Sequence, residues 1–164
     1  LSIRRIIPYP DTLLKTACSS VNNFGDELRH LADDLLETMR AAPGVGITAA
    51  HIGVLKRLVV IELSRTDGVD IYVNPEITWI SPEMTTRIEG SVSMPGFTEE
   101  VTRPKAVRFR YQDLDGRRHE AGADGFLAAC IQHEIDQIDG IFWLQRLSRL
   151  KRDRLLKKWV KTGG

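Results

Sequence analysis

The stretch DGFLAACIQHEIDQIDG, residues 124–140, constrains the fold more than any other part of the chain. Leu127, Ile131, Ile135 and Ile138 recur at helical spacing and predict a buried apolar stripe. Asp124 stands where such a helix would be capped. A second stripe, Phe126, Cys130, His133, Glu134 and Gln137, carries polar groups through an otherwise apolar segment. Side chains four apart lie one above the other on a helix. In H-E-x-x-H helices that geometry supplies two metal-binding histidines and a carboxylate that moves protons. Here the run is His133-Glu134-Ile135-Asp136-Gln137, with glutamine at the second histidine position. A helix with two such faces is expected at the centre of the domain.

The other elements are legible around it. Residues 24–41 predict a long helix with Leu28, Leu31, Leu35 and Met39 on its apolar face and Asp26 and Glu27 at its favourable end. Residues 57–63 predict a strand. Asp70 to Pro75 predicts another that ends at the proline, and residues 76–88 an irregular antiparallel strand around Trp79 and Pro82. Residues 105–111 alternate cleanly and pair in a hairpin with the weaker strand 117–123 across the turn from Asp113 to Gly116. Ile141 to Leu144 is a short strand or packing segment, and Ser148 is expected to cap a final helix. Before the first helix, Pro8 and Pro10 break regularity, so residues 1–23 are expected to lie as an extended arm. Strands followed by a central helix, with one helix before the sheet and one after, predict an α+β class, a mixed or antiparallel sheet packed on that helix, and a single domain over residues 1–164.

Two stretches have no such pattern. Residues 43–53, PGVGITAAHIG, are small residues punctuated by Gly44 and Gly46. They suit either a loop whose backbone approaches a ligand or a tight packing turn. They do not make a dinucleotide fingerprint, since the third glycine and the preceding strand are missing. Glu89 to Phe97, with two serines, two glycines and a proline, argues against a regular core strand.

Charge and cysteine content narrow the function classes. A net charge of +1 gives no footprint for DNA over the whole chain. No span suits a membrane and the first residues do not resemble a signal peptide, so the expected location is the cytoplasm. Cys18 and Cys130 make no disulfide framework and are expected reduced. His30 is expected at the surface or its boundary, and His119, in a polar setting, is expected to be solvated. Lys151, Arg152, Arg154, Lys157, Lys158 and Lys161 make the last helix basic, which suits either a solvated face or a weak contact with an anionic partner such as the ribosome.

In order, the small-residue loop, the run Glu89-Gly90-Ser91-Val92-Ser93 and the QHE-ID-Q helix resemble the three signature stretches of the peptide deformylase family, GxGxAAxQ, EGCLS and HExxH. The resemblance covers nearly the whole chain. It implies the deformylase fold, a groove for the N-terminal peptide of nascent chains, and removal of the formyl group from formyl-methionyl peptides. It also implies a divalent metal, Fe2+ or Zn2+, held by the cysteine of the second motif and both histidines of the third.

Carried over residue by residue, the resemblance is incomplete. His133 matches the first histidine ligand and Glu134 the general acid/base. Val92 matches the residue whose backbone N–H helps hold the oxyanion. Gly44, Val45, Gly46, Ile88, Phe126 and Cys130 match the substrate pocket. Ser91 stands at the ligand cysteine, Gln137 at the second ligand histidine, and His51 at the glutamine that bonds the formyl oxygen. Thr48 replaces an alanine. A serine hydroxyl and an amide oxygen are neutral donors and poor substitutes for a thiolate and an imidazole. Without an ion to lower its pKa, a water at about 15.7 is a poor match for Glu134. The expectation is therefore a deformylase-like protein with lost or strongly reduced activity that keeps a peptide groove, with no cofactor or an ion at low occupancy. In one alternative His51 swings to the metal position and, with His133 and Glu134, rebuilds an active site. In another Ser91 acts as a nucleophile without metal. In the degenerate form, Ser91, Gln137, His51 and His133 are expected to satisfy one another's hydrogen bonds.

Overall fold

A computed structural model describes residues 2–163. Helix α1 spans Asp26–Ala41, α2 Gly125–Ile138 and α3 Arg149–Lys161. Strands β1 (Gly46–Thr48), β2 (Leu58–Ile61), β3 (Asp70–Ile80), β6 (Ala106–Gln112) and β7 (Arg118–Asp124) form one antiparallel sheet in the order β1-β2-β3-β6-β7. Strands β4 (Met84–Gly90) and β5 (Thr98–Pro104) form a separate two-stranded sheet.

The five-stranded sheet is covered on both faces where β1 and β2 run, while β6 exposes Arg108 and Arg110 on the face opposite Val107 and Phe109. Val59 and Ile61 of β2 join Ile131, Ile135 and Ile138 of α2 in one apolar cluster, together with Val107 and Phe109 of β6. Leu58 and Val60 point the other way, into a cluster with Leu28, Leu31, Leu35 and Met39 of α1. Successive side chains of a strand face opposite sides, so a strand buried on both faces is apolar throughout, as Leu58–Ile61 is. A third cluster, including Leu14, Phe142, Trp143, Leu155 and Trp159, seats α3. Ser148 caps that helix by accepting from the Lys151 N–H, and Lys157 and Lys158 remain exposed. No helix among the described residues is long and apolar enough to cross a membrane.

The structure departs from the sequence expectations at several places. Strand β3 does not end at Pro75. The register shifts between Val73 and Glu76, and Asn74 takes a positive φ of 51°. Pro75 lacks an N–H and is accommodated at this bulge, after which the strand continues to Ile80. The Asn74 side chain holds the bulge by bonding both backbone groups of Val21 and the Gln112 amide. Residues 76–88 are thus the end of β3, a turn and most of β4, not one irregular strand. The 43–53 run contains β1 and a short 310 turn, Ala49–Ile52. Trp143–Arg146 is also a 310 turn, not a strand. The N-terminal arm includes a 310 turn at Thr12–Lys15 and a bridge from Ser19 to Lys56. Asp124 sits at the N-cap of α2 but its side chain makes no capping bond. Cys18 and Cys130 are free thiols, and His30 and His119 are exposed.

Candidate active-site cleft

A cleft of about 460 Å³ opens between α2, strand β4 with the turn after it, and the segment around Gly44–Gly46. Gly44, Val45, Gly46, Ile88, Phe126 and Cys130 all line it, as do Ser91, Val92, His51, His133 and Glu134. Gln137 does not.

Its polar wall is built outward from His133. The His133 Nδ1 lies 2.9 Å from Glu89 Oε1. Glu89 also accepts two bonds from Arg103, at 2.6 and 2.9 Å, and Arg103 reaches Asp136 at 2.9 Å. Asp136 in turn accepts from Arg146. Burial pushes the Glu89 carboxyl up, but hydrogen bonds from His133 and Arg103 outweigh it and bring it down to about 2. Glu89 is therefore an ionised acceptor, and His133 donates to it through Nδ1. That leaves His133 Nε2 for the cleft, the orientation by which a second-layer carboxylate presents a histidine. Burial lowers the His133 pKa, but the nearby charges of Glu134 and Glu89 raise it further.

Glu134 is buried and its Oε1 has no hydrogen-bond partner among the described residues. Burial pushes it up to about 6. A Cβ on Gly46 would lie 2.4 Å from Glu134 Oε2, so only glycine lets β1 approach this carboxyl so closely.

His51 is 1% exposed. Its Nδ1 accepts from the Thr48 N–H at 2.9 Å and lies 3.1 Å from the Thr48 hydroxyl. Because Nδ1 accepts a backbone N–H, the neutral ring carries its proton on Nε2. That Nε2 is buried and has no hydrogen-bond partner among the described residues. Burial, then the charge of His133, lowers the His51 pKa to about 3, so the ring stays neutral.

The mutually bonded polar cluster expected from the sequence does not form. Gln137 Nε2 donates to the Leu14 carbonyl at 2.8 Å, and the residue is buried. Ser91 Oγ accepts from the Ser93 N–H at 3.1 Å. His133 bonds Glu89, and His51 bonds Thr48. Burial, then the charge of Glu134, pushes the Cys130 thiol up to about 12, so it is no thiolate in waiting.

Sequence reasoning missed several cleft residues, among them Met94, Phe97, Ala129 and Arg87. Ile88 lines the cleft but is 67% exposed, at its rim. Side chains alternate along β4, and the face that carries Glu89 toward α2 also carries Arg87. Arg87 lines the cleft, and its buried Nε has no hydrogen-bond partner among the described residues. The alternation in MTTRIEG carried that signal.

The motif order and this architecture have counterparts. The family model for polypeptide deformylase matches residues 3–153. The chain belongs to the peptide deformylase family. A relative named peptide deformylase-like, from Agrobacterium fabrum, is 61% identical over 99% of this chain and 98% of its own length. A peptide deformylase from Afipia carboxidovorans is 42% identical over 99% of this chain and 96% of its own. The solved peptide deformylase of Legionella pneumophila superposes with a TM-score of 0.92 at 36% identity, covering 99% of this chain and 96% of that one. That of Synechococcus elongatus, in complex with actinonin, gives 0.91 at 34% identity, covering 94% and 86%.

Deformylases normally use a divalent metal, and this donor set does not fit one. A zinc or ferrous site of the family type needs three protein ligands that donate electron pairs. Ser91 offers a neutral oxygen already accepting an N–H, and Gln137, whose Nε2 donates to Leu14, offers only a neutral amide oxygen. His51 uses its lone pair on Thr48 and carries its proton on a buried Nε2. Among the described residues no group of three or more His, Cys, Asp or Glu side chains is arranged to hold an ion.

Proposed function

We propose that this chain binds the acylated N-terminal end of an extended peptide in the deformylase cleft without the metal-dependent hydrolysis of its family. The observation that carries the reading is Gln137. At the position of the second histidine ligand, its Nε2 donates to the Leu14 carbonyl, and the only electron pairs it can offer an ion are those of a neutral amide oxygen. With Ser91 at the thiolate position, His133 Nε2 and Glu134 are left as donors. Glu134 then faces a water that no ion activates. Binding needs less than hydrolysis does. An apolar cleft with a few inward polar groups suits a peptide end, and the His51 Nε2–H can donate to an acyl carbonyl.

The test is elemental analysis of protein purified without oxygen, combined with a formyl-Met-peptide hydrolysis assay and peptide titration by calorimetry. The expected result is no stoichiometric iron or zinc, no turnover above background, and saturable binding that His51→Ala weakens. Stoichiometric metal with turnover would overturn the reading in favour of an active hydrolase.

A further inference from the structure

Arg87 is a charged side chain in a cleft lined largely by apolar residues such as Val45, Ile88, Phe126 and Ala129. It projects from the α2-facing side of β4, on the same face as Glu89. Its Nη2 lies 3.6 Å from where a Cβ on Gly125 would stand, which places the guanidinium at the first turn of α2. Cleft residues Phe126, Ala129 and Cys130 follow on that helix. Arg103, the buried arginine on β5, is bonded to two carboxylates. Arg87 forms no ion pair or hydrogen bond among the described residues, and its buried Nε is left without an acceptor. Nor do the carboxylates of the cleft supply one. Glu89 is occupied by Arg103 and His133, and Glu134 makes no bond to Arg87.

A buried donor with no acceptor is unfavourable until something supplies one. A planar guanidinium matches a carboxylate in particular, through two parallel hydrogen bonds. We infer that Arg87 makes this cleft select a peptide end whose inserted side chain carries a carboxylate. The inference rests on the peptide-binding reading above and names its ligand class. Arg87 receives the side-chain carboxylate at the α2 end of the cleft, and the His51 Nε2–H is the donor available to the acyl carbonyl.

The experiment compares formyl-Glu, formyl-Gln and formyl-Met peptides of otherwise identical sequence, titrated into the intact chain by fluorescence anisotropy. The charged hydrogen bonds are expected to favour the Glu peptide over both others by about tenfold or more. Arg87→Met should abolish the Glu-over-Gln preference and make the Met peptide the tightest. Arg87→Lys, which keeps charge without the planar fork, should retain a weaker preference, and it keeps the test open should Arg87→Met fail to fold. Equal or tighter binding of the Met peptide by the natural chain would overturn this inference alone, leaving peptide binding intact. A Glu preference that survives Arg87→Met would do the same. No binding of any of the three would overturn both readings.

Discussion

The two sides of His133 are partnered in opposite ways. On its Nδ1 side a continuous network runs through Glu89, Arg103, Asp136 and Arg146, in which each charge has an opposite at hydrogen-bond distance. On the cleft side, His51 Nε2, Glu134 Oε1 and Arg87 Nε are buried without hydrogen-bond partners among the described residues. The first is what a fold does with charges it must bury. The second is what a ligand site looks like before its ligand supplies the missing acceptors and donors. The contrast teaches that the supporting layer of a deformylase site persists in this chain while the inner donor set has changed.

The sharpest way to break the contrast is to restore the inner layer. Ser91→Cys with Gln137→His should convert the chain to one that holds about one zinc or iron ion, because the ligand set becomes the three-donor kind. Metal content after dialysis reads the outcome. Failure to bind iron, nickel or zinc would mean that more than those two positions separates this cleft from a metal site. Next in size is the outer layer. Arg103→Ala leaves Glu89 and Asp136 without their buried counter-charge and should destabilise the fold by about 3–5 kcal/mol in urea unfolding. A loss under about 1 kcal/mol would show that the network is not structural in the sense argued here.

Acid separates the two layers. The folded pKa of Glu134 is raised to about 6 from 4.5, so its buried charge opposes folding at neutral pH. Stability from this group rises as pH falls through 6 and levels off below 4.5. The Glu89 pKa is lowered to about 2 from 4.5, so its contribution is present above 4.5 and lost as pH falls toward 2. Melting temperature should therefore gain from Glu134 between pH 7 and 4.5. Glu134→Gln should remove that gain and leave the later loss. The smallest effect is expected at Thr48→Ala. It deletes a hydroxyl 3.1 Å from His51 Nδ1 while keeping the backbone N–H, for about 0.5–1.5 kcal/mol. Imidazole nitrogen shifts in NMR should still report the proton on Nε2, and a switch to Nδ1 would undo the argument that His51 is a donor.

Much of this was legible in the sequence wherever a residue's environment follows from its neighbours along the chain. The isoleucine stripe of α2 and the leucine stripe of α1 lie in the core because helical spacing decides which side chains share a face. Ser148 caps α3 because its hydroxyl reaches an N–H three residues on. The β3 bulge was not legible, since an X-Pro pair ends one strand and is tolerated in another according to what pairs beside it. Nor were the partners of Gln137 and Arg87. The first depends on the Leu14 carbonyl, 123 residues away in the chain. The second depends on which face of β4 meets α2.

The sequence alone determined which donors this chain owns: a serine and a glutamine in place of a thiolate and an imidazole, with His133 and Glu134 kept. Donor chemistry belongs to the side chain and needs no fold to be known. Tertiary structure decided where those donors point. It bonded Gln137 Nε2 to the Leu14 carbonyl, set the His51 proton on Nε2 and left the Arg87 Nε at the cleft without a partner among the described residues. Hydrogen-bond direction and burial are properties of the space between elements, and that space forms only when distant segments pack.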